Sequence, residues 1–327
     1  MLLSRAEKSD GSRSLNAHFG MLVWALIVGS SFPVVVMMTE GLPPLLLTAI
    51  RFLMAAFLLS PLVWRHSHQL PSLRGLVLYL VMGTSLAYFF GTMFWAAHRT
   101  SALSMATIYV SVPLLAYIFG RLLRVESTSK TLMSILLLGA TGALALALAE
   151  SGGSLNQIQF ERVELAYFCG CMGSALFPVL SKWGLARNIL SPSAELRTFW
   201  SLISGAVFIG LMGLLMEDMA SLMRMNTKDV LLLTYLAIFS SGATFWLTQR
   251  ATAVLTPSSV TAYSYLVPFV SMLLLFIEQP HQIGWHWLPG ALMVVIAIAM
   301  LLKRGRGDSQ SLPISKSNRI QPECNAC

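Results

Sequence analysis

Charge is scarce in this chain. Asp, Glu, Lys and Arg together make up 11% of its 327 residues, against roughly 25% in an ordinary soluble domain, while 56% are hydrophobic. Too little polar surface remains to cover a folded core in water, so a soluble globular protein is excluded and lipid has to supply the outer solvent. Cysteine is scarce as well. Cys169 and Cys171 fall in an apolar run and Cys324 and Cys327 in a polar tail, which gives no disulfide framework. The terminal Cys324-Asn325-Ala326-Cys327 has no second cysteine pair or nearby histidine to complete a zinc site, and Asn325-Ala326 is not the aliphatic pair of a prenylation box.

Enzyme signatures are missing too. No G-x-x-x-x-G-K-[ST], H-E-x-x-H or G-x-S-x-G occurs, which argues against an ATP-driven pump and leaves a substrate gradient, an exchange partner or an ion as the energy source. His18, His66, His68, His98, His281 and His286 lie near the ends of apolar runs, and His66-x-His68 alone is no metal site. No cofactor or metal is expected. The net charge of +8 does not indicate a nucleic-acid partner, because the basic residues punctuate the apolar runs instead of forming one face.

What the chain does have is long apolar runs. A bilayer core about 30 Å thick needs on the order of 20 helical residues, and ten runs come near that length: 18–38, 43–64, 73–97, 101–123, 131–149, 164–183, 193–216, 229–248, 257–277 and 285–302. Each must be helical, since unpaired backbone groups in lipid cost several kcal/mol apiece. The expected fold class is therefore all-α and polytopic. Residues 1–17 read as a polar N-terminal segment followed by a run too long for a signal-peptide core, residues 150–163 as a connection, and residues 303–327 as a disordered basic tail. With both termini cytoplasmic, 17 basic residues fall inside and only Arg99, Arg162, Arg224 and Lys228 outside, leaving Arg51 within a span.

The two halves echo one another. Phe94-Trp95 followed by Arg99 at the end of span three matches Phe245-Trp246 followed by Arg250 at the end of span eight. Each is followed by a Ser/Thr/Ala-rich helix start, a proline (Pro113, Pro268) and an acidic residue (Glu126, Glu278), although arginine and proline are fourteen residues apart in one case and eighteen in the other. Five spans per half is an odd number, so halves 18–149 and 164–302 would enter the membrane from opposite sides as inverted repeats, an organisation suited to alternating access at the midplane.

These pieces, with Trp24, Gly29-Ser30-Ser31-Phe32-Pro33 and Arg51-Phe52, make the chain resemble the EamA-like members of the drug/metabolite transporter superfamily. The resemblance implies a basket-like bundle whose cavity is lined by spans one, three, four, six, eight and nine and which moves amino acids, other metabolites or toxic compounds. The reading is a secondary carrier in a bacterial cytoplasmic membrane, most naturally an exporter. Uptake, drug efflux or a non-transporting receptor or scaffold are the alternatives, and a membrane-embedded enzyme is disfavoured by the lack of a His/Asp/Glu cluster at mid-membrane depth.

The candidate substrate-binding set follows from those spans: Ser30, Ser31, Arg51, Tyr88, Tyr109, Ser111, Tyr167, Ser174, Ser241, Thr244, Trp246, Tyr263 and Ser264, with Trp95 and Tyr265 as further rings. Arg51 stands out, because a mid-bilayer charge costs about 2.5–3.5 kcal/mol. It either faces the cavity and draws an anionic group or packs on a neighbouring helix's carbonyls. Pro33, Pro113, Pro178 and Pro268 are candidate helix breaks. Glu40, Glu126 and Glu278 lie near span ends, where a carboxylate can simply mark the interface. Gly139, Ala143 and Ala147 form a helix-packing stripe that could support a homodimer.

Overall fold

The computed structural model describes residues 2–64, 70–97, 99–151, 161–278 and 284–311. Among them there is no strand. The helices are α1 (Leu2–Val36), α2 (Pro44–Trp64), α3 (Leu73–Ala97), α4 (Ala102–Tyr109), α5 (Val112–Leu122), α6 (Lys130–Glu150) and α7 (Arg162–Ala186), then α8 (Ala194–Met216), α9 (Thr227–Tyr235), α10 (Thr244–Val254), α11 (Pro257–Thr261), α12 (Leu266–Glu278) and α13 (Leu288–Ser311). Nine helical segments of the described residues are long and apolar enough to cross a bilayer. The tenth expected span, the ninth in order, is present but broken into α11, a 3₁₀ turn over Ala262–Tyr265, and α12.

That break has a twin. The fourth span is also interrupted, between α4 and α5, and each interruption falls about four residues before a proline. Pro113 and Pro268 cannot donate to the carbonyls of Tyr109 and Ser264, so the α-helical ladder fails there in both halves. Pro33 and Pro178 lie instead inside the continuous helices α1 and α7, where they do not interrupt the span. The eighth span carries a different irregularity, a π-helical stretch over Leu236–Ala243.

The start of each broken span is set by a side-chain cap. The Ser101 hydroxyl accepts from the Ser104 N–H at 3.0 Å, and the Thr256 hydroxyl accepts from the Ser259 N–H at 3.4 Å. Each cap stands twelve residues before its proline. The unequal arginine-to-proline spacing therefore arises upstream, where α10 runs on to Val254 and so outlasts α3, which stops at Ala97, by more than a turn beyond the matching tryptophan.

Two helical regions extend beyond the sequence-based boundaries. Residues 2–17, expected as a polar N-terminal segment, continue α1, since the first proline is Pro33 and little else in the segment stops a helix. α13 likewise runs on to Ser311 through the basic stretch that was assigned to the tail. Residues 312–327, with the Cys324-x-x-Cys327 pair, and His66, His68, His98 and His281 lie outside the described residues.

Packing crosses between the halves. α2 lies on α8, α6 on α13, α3 on α7 and α8, α5 on α7 and α11, and α1 on α10 and α12, while the π-helical stretch packs on α2. Exchanging each span with the one five places on maps this set onto itself. These are all contacts between halves, so neither half encloses a core of its own. Close approach depends on small residues: a Cβ on Gly83 would sit 2.6 Å from the Ser204 carbonyl carbon, and one on Gly173 2.6 Å from the Ser85 oxygen. The Gly139, Ala143, Ala147 stripe is covered within the chain: Gly139 faces the Tyr265 ring, Ala143 shares a core with Tyr265, Val294 and Ile298, and Ala147 is buried.

Candidate functional site

An aromatic layer crosses the middle of the bundle. Phe52 of α2 meets Phe90 of α3 edge-to-face at 5.5 Å and Phe245 of α10 at 5.4 Å, and Phe245 meets Phe177 of α7 at 5.6 Å. On the other side Phe90 touches Phe89 at 5.2 Å, and Phe89 leads to Tyr109 at 5.9 Å and Tyr167 at 6.5 Å. The tilted and edge-to-face geometry is the one that ring quadrupoles favour. Spans two, three, four, six and eight each place at least one ring in this layer.

Arg51 lies against it, with its guanidinium carbon 5.8 Å from the Phe52 ring centre and 5.9 Å from that of Phe90. Both distances lie within cation–π range. Its Nε is buried without a hydrogen-bond partner, and among the described residues no carboxylate or carbonyl pairs with the group. The packing alternative, in which neighbouring carbonyls satisfy the arginine, is therefore not what the geometry gives. A cation that faces rings alone is left able to receive an anionic group.

Of the remaining sequence candidates, three fall here. Tyr109 and Tyr167 belong to the layer directly, and Ser174 lies near the Tyr109 hydroxyl. Ser30 and Ser31 both donate to the Ile27 carbonyl, at 3.1 and 2.6 Å, Ser111 donates to Ile108 at 2.6 Å, and Thr244 to Ser240 at 2.6 Å. Their protons are thus engaged by their own helices, leaving lone pairs only. Ser241, inside the π-helical stretch, is buried with no partner for its hydroxyl. Such stretches interrupt the regular ladder and recur at functional sites.

The others lie elsewhere. Tyr88 is 44% exposed in an outward groove of about 610 Å³ between α3 and α7, beside Val81, Ser85 and Met172. Trp246 donates its indole N–H to Glu195 at 3.1 Å, with Arg250 stacked 5.3 Å above its ring. Trp95 has the same neighbour in the other half, Arg99 at 4.9 Å, so the Trp/Arg echo is a repeated cation–π pair. Tyr263 is fully buried among α1, α6 and α13, where His18 Nδ1 lies 2.7 Å from its hydroxyl, and Ser264 and Tyr265 are buried beside it.

Sequence reasoning missed the phenylalanines, although Phe89-Phe90 with Phe94 one turn on was a legible signal. A second arginine, Arg197, is also buried. Arg197 Nε donates to Gln249 Oε1 at 3.1 Å, its terminal nitrogens to the Ser191 and Gln249 carbonyls at 2.6 and 2.7 Å, and Ser181 donates to the same Gln249 Oε1 at 2.6 Å. Unlike Arg51, this cation is satisfied and belongs to the scaffold.

Carboxylates tie the halves together at both ends of the bundle. Away from the termini, Glu217 accepts from the Leu45 and Leu46 N–H groups at 2.7 and 2.9 Å, capping α2. Asp229 accepts from the Thr39 N–H at 2.9 Å and hydroxyl at 2.8 Å, and Glu164 accepts from Thr100. At the end that carries α13's basic residues, Glu126 accepts from the Ser258 hydroxyl and, at 3.4 Å, its N–H. An open hollow of about 540 Å³ adjoins it, lined by Arg121, Arg124, Ser127, Thr128 and Thr256.

Comparison with known proteins agrees with this architecture. The EamA-like transporter family matches the sequence twice, over residues 15–148 and 162–303. The Escherichia coli K12 protein described as "Uncharacterized inner membrane transporter YedA" is 27% identical over 300 residues, covering 90% of this chain and 93% of its own, and the same figures hold for YedA of strain O157:H7. One crystal structure, described only as that of a protein, shares the fold with a TM-score of 0.71 at 18% identity, over 89% of this chain and 98% of its own. With two tandem matches that span nearly all of its membrane helices, the chain belongs to the EamA-like transporter family and is a multi-pass membrane transporter of the drug/metabolite transporter superfamily.

Proposed function

We propose that this transporter is a secondary exporter of a small metabolite with an anionic group and an apolar body, an amino acid or a close relative, working by alternating access with both termini in the cytoplasm. The observation that carries this reading is Arg51, an unpaired cation set against the rings of Phe52 and Phe90. A carboxylate would complete it, and an apolar side chain would pack on the rings where Phe89, Tyr109 and Tyr167 continue the layer. Tyr109 and nearby Ser174 supply polar groups there, and the buried Ser241 hydroxyl is a further group without a partner. The two-fold exchange of helix contacts supports alternation, because a rearrangement that opens one end can be mirrored at the other. Lys and Arg concentrated on the side of the termini support the orientation.

The test is uptake of a mixed amino-acid and metabolite pool by proteoliposomes, followed by time-resolved mass spectrometry against protein-free liposomes. Selective accumulation or preloaded exchange of carboxylate-bearing solutes, lost in Arg51→Ala, is the expected result. Silence in both assays from correctly inserted protein would move the reading to a receptor or scaffold.

A further inference from the structure

We propose that Glu126 is a proton-binding site at the cytoplasmic gate: with a proton aboard it holds the start of the ninth span against the loop after α5, and losing that proton to the cytoplasm lets the two part. The inference rests on the alternating-access reading above and adds to it a ligand, the proton, and the group that takes it.

The geometry begins with the backbone. Arg124 adopts a left-handed conformation, with φ of 57°, and the N–H groups of Val125 and Glu126 return to the Gly120 carbonyl at 2.8 and 3.1 Å. This turn folds Glu126 back over α5, so closely that a Cβ on Gly120 would lie 2.9 Å from Oε2. The residue is left only 9% exposed although it stands in a connecting loop beside an open hollow. Its partner Ser258, with Thr256 close by, belongs to the other half of the chain and stands at the start of the span that is broken from Ala262 on. Glu126 joins the halves at this end, whereas Glu217, Asp229 and Glu164 do so at the far end.

Burial sets the sign. Desolvation raises the Glu126 pKa above the usual carboxylate value, and the opposing pull of Ser258, Thr256 and Arg304 does not cancel it. The other charges around it are cations: Lys182 from α7, and Arg121 and Arg124 on the hollow's wall. Once the halves separate, water in the hollow solvates the carboxylate and its pKa falls towards the ordinary range. A group whose pKa is higher in the closed arrangement stabilises that arrangement when protonated. Low cytoplasmic pH therefore favours closure, and opening increases as pH rises through the raised value. The protonated carboxyl can donate to Ser258 Oγ while its other oxygen accepts from the Ser258 N–H, so closure and proton occupancy are compatible in hydrogen-bonding terms.

The experiment reads accessibility and needs no substrate. Val260, 2% exposed and half a turn beyond Ser258, is replaced by cysteine in a variant lacking the four native cysteines. A membrane-impermeant maleimide is then supplied to the cytoplasmic face across a pH series. Rates are normalised to a Thr128→Cys reference in the open hollow, which removes the thiol's own titration. The expected result is a normalised rate that rises several-fold with pH. In Glu126→Gln, which cannot ionise but keeps both hydrogen bonds, it stays low throughout, and in Glu126→Ala it is high throughout.

A wild-type pH profile retained in Glu126→Gln would overturn the proposal, as would a Val260→Cys rate that is flat with pH while the reference labels normally. Exchange of the metabolite pool measured on the same preparations separates the two readings. Intact exchange with an unaltered profile sinks only the proton site. A Glu126-dependent profile with no exchange of any solute sinks the transport reading.

Discussion

The two buried arginines carry the same charge and have opposite roles. Arg197 has a full set of acceptors, so removing it takes a donor from the Ser191 and Gln249 carbonyls and from Gln249 Oε1, the last of which keeps Ser181. At about 1–3 kcal/mol for each buried polar group orphaned, Arg197→Ala should destabilise the fold by roughly 2 kcal/mol or more, visible as early thermal unfolding in detergent whether or not a substrate is present. Arg51→Ala leaves no protein partner unsatisfied and should unfold at nearly the wild-type temperature. Its loss should appear instead in transport: a charge-assisted bond to a carboxylate is worth about 1.5–3 kcal/mol, or a roughly ten- to hundred-fold fall in apparent affinity. Arg51→Lys keeps the charge but not the planar fork, and should lie between the two. A parallel loss of stability and transport in Arg51→Ala would place it with the scaffold.

At the scale of helices, glycine positions decide how closely spans approach. Gly83 has no room for a methyl group because the obstruction includes the Ser204 and Gly205 backbone, whereas a Cβ on Gly20 meets only the tip of the Leu247 side chain at 3.3 Å. Gly83→Ala should therefore cost about 1–3 kcal/mol through overpacking, and Gly20→Ala should be close to neutral, a contrast that thermal unfolding of the two variants would read directly. The spans themselves were legible in the sequence because their apolar length is an all-or-none feature of lipid burial. Their irregularities were legible only in part. Pro113 and Pro268 marked the broken spans, yet the same residue at 33 and 178 leaves α1 and α7 continuous, and the π-helical stretch at Leu236–Ala243 contains no proline at all. The candidate site suffered in the same way. Tyrosine and serine were sought for their polar atoms, but most of the serine and threonine protons are held by their own helices, and the continuous surface is made of phenylalanine, which sequence cannot distinguish from ordinary packing.

For the molecule as a whole, the exchange symmetry of the packing has a consequence for how it moves. Because the principal helix contacts run between halves, a half cannot be removed or held still without affecting the other, and opening either end means breaking contacts between the repeats. At the far end those contacts include Thr100 with Glu164 and Thr39 with Asp229, which join a loop or helix end of one half to a helix start of the other. Cysteines at 100 and 164, joined by a short thiol crosslinker, should hold that end shut. If transport requires the two ends to open in turn, crosslinking should abolish net flux, reduction of a cleavable linker should restore it, and each single cysteine should keep a measurable rate, since the cost is one hydrogen bond at Thr100 and two at Glu164, at about 1 kcal/mol each. The crosslinked protein should also retain maleimide access to the hollow beside Glu126, because closure at one end leaves the other free to open. Flux that persists at full crosslinking would mean that solute does not pass between the halves at that end, and the path would then have to be sought along the outward groove beside Tyr88.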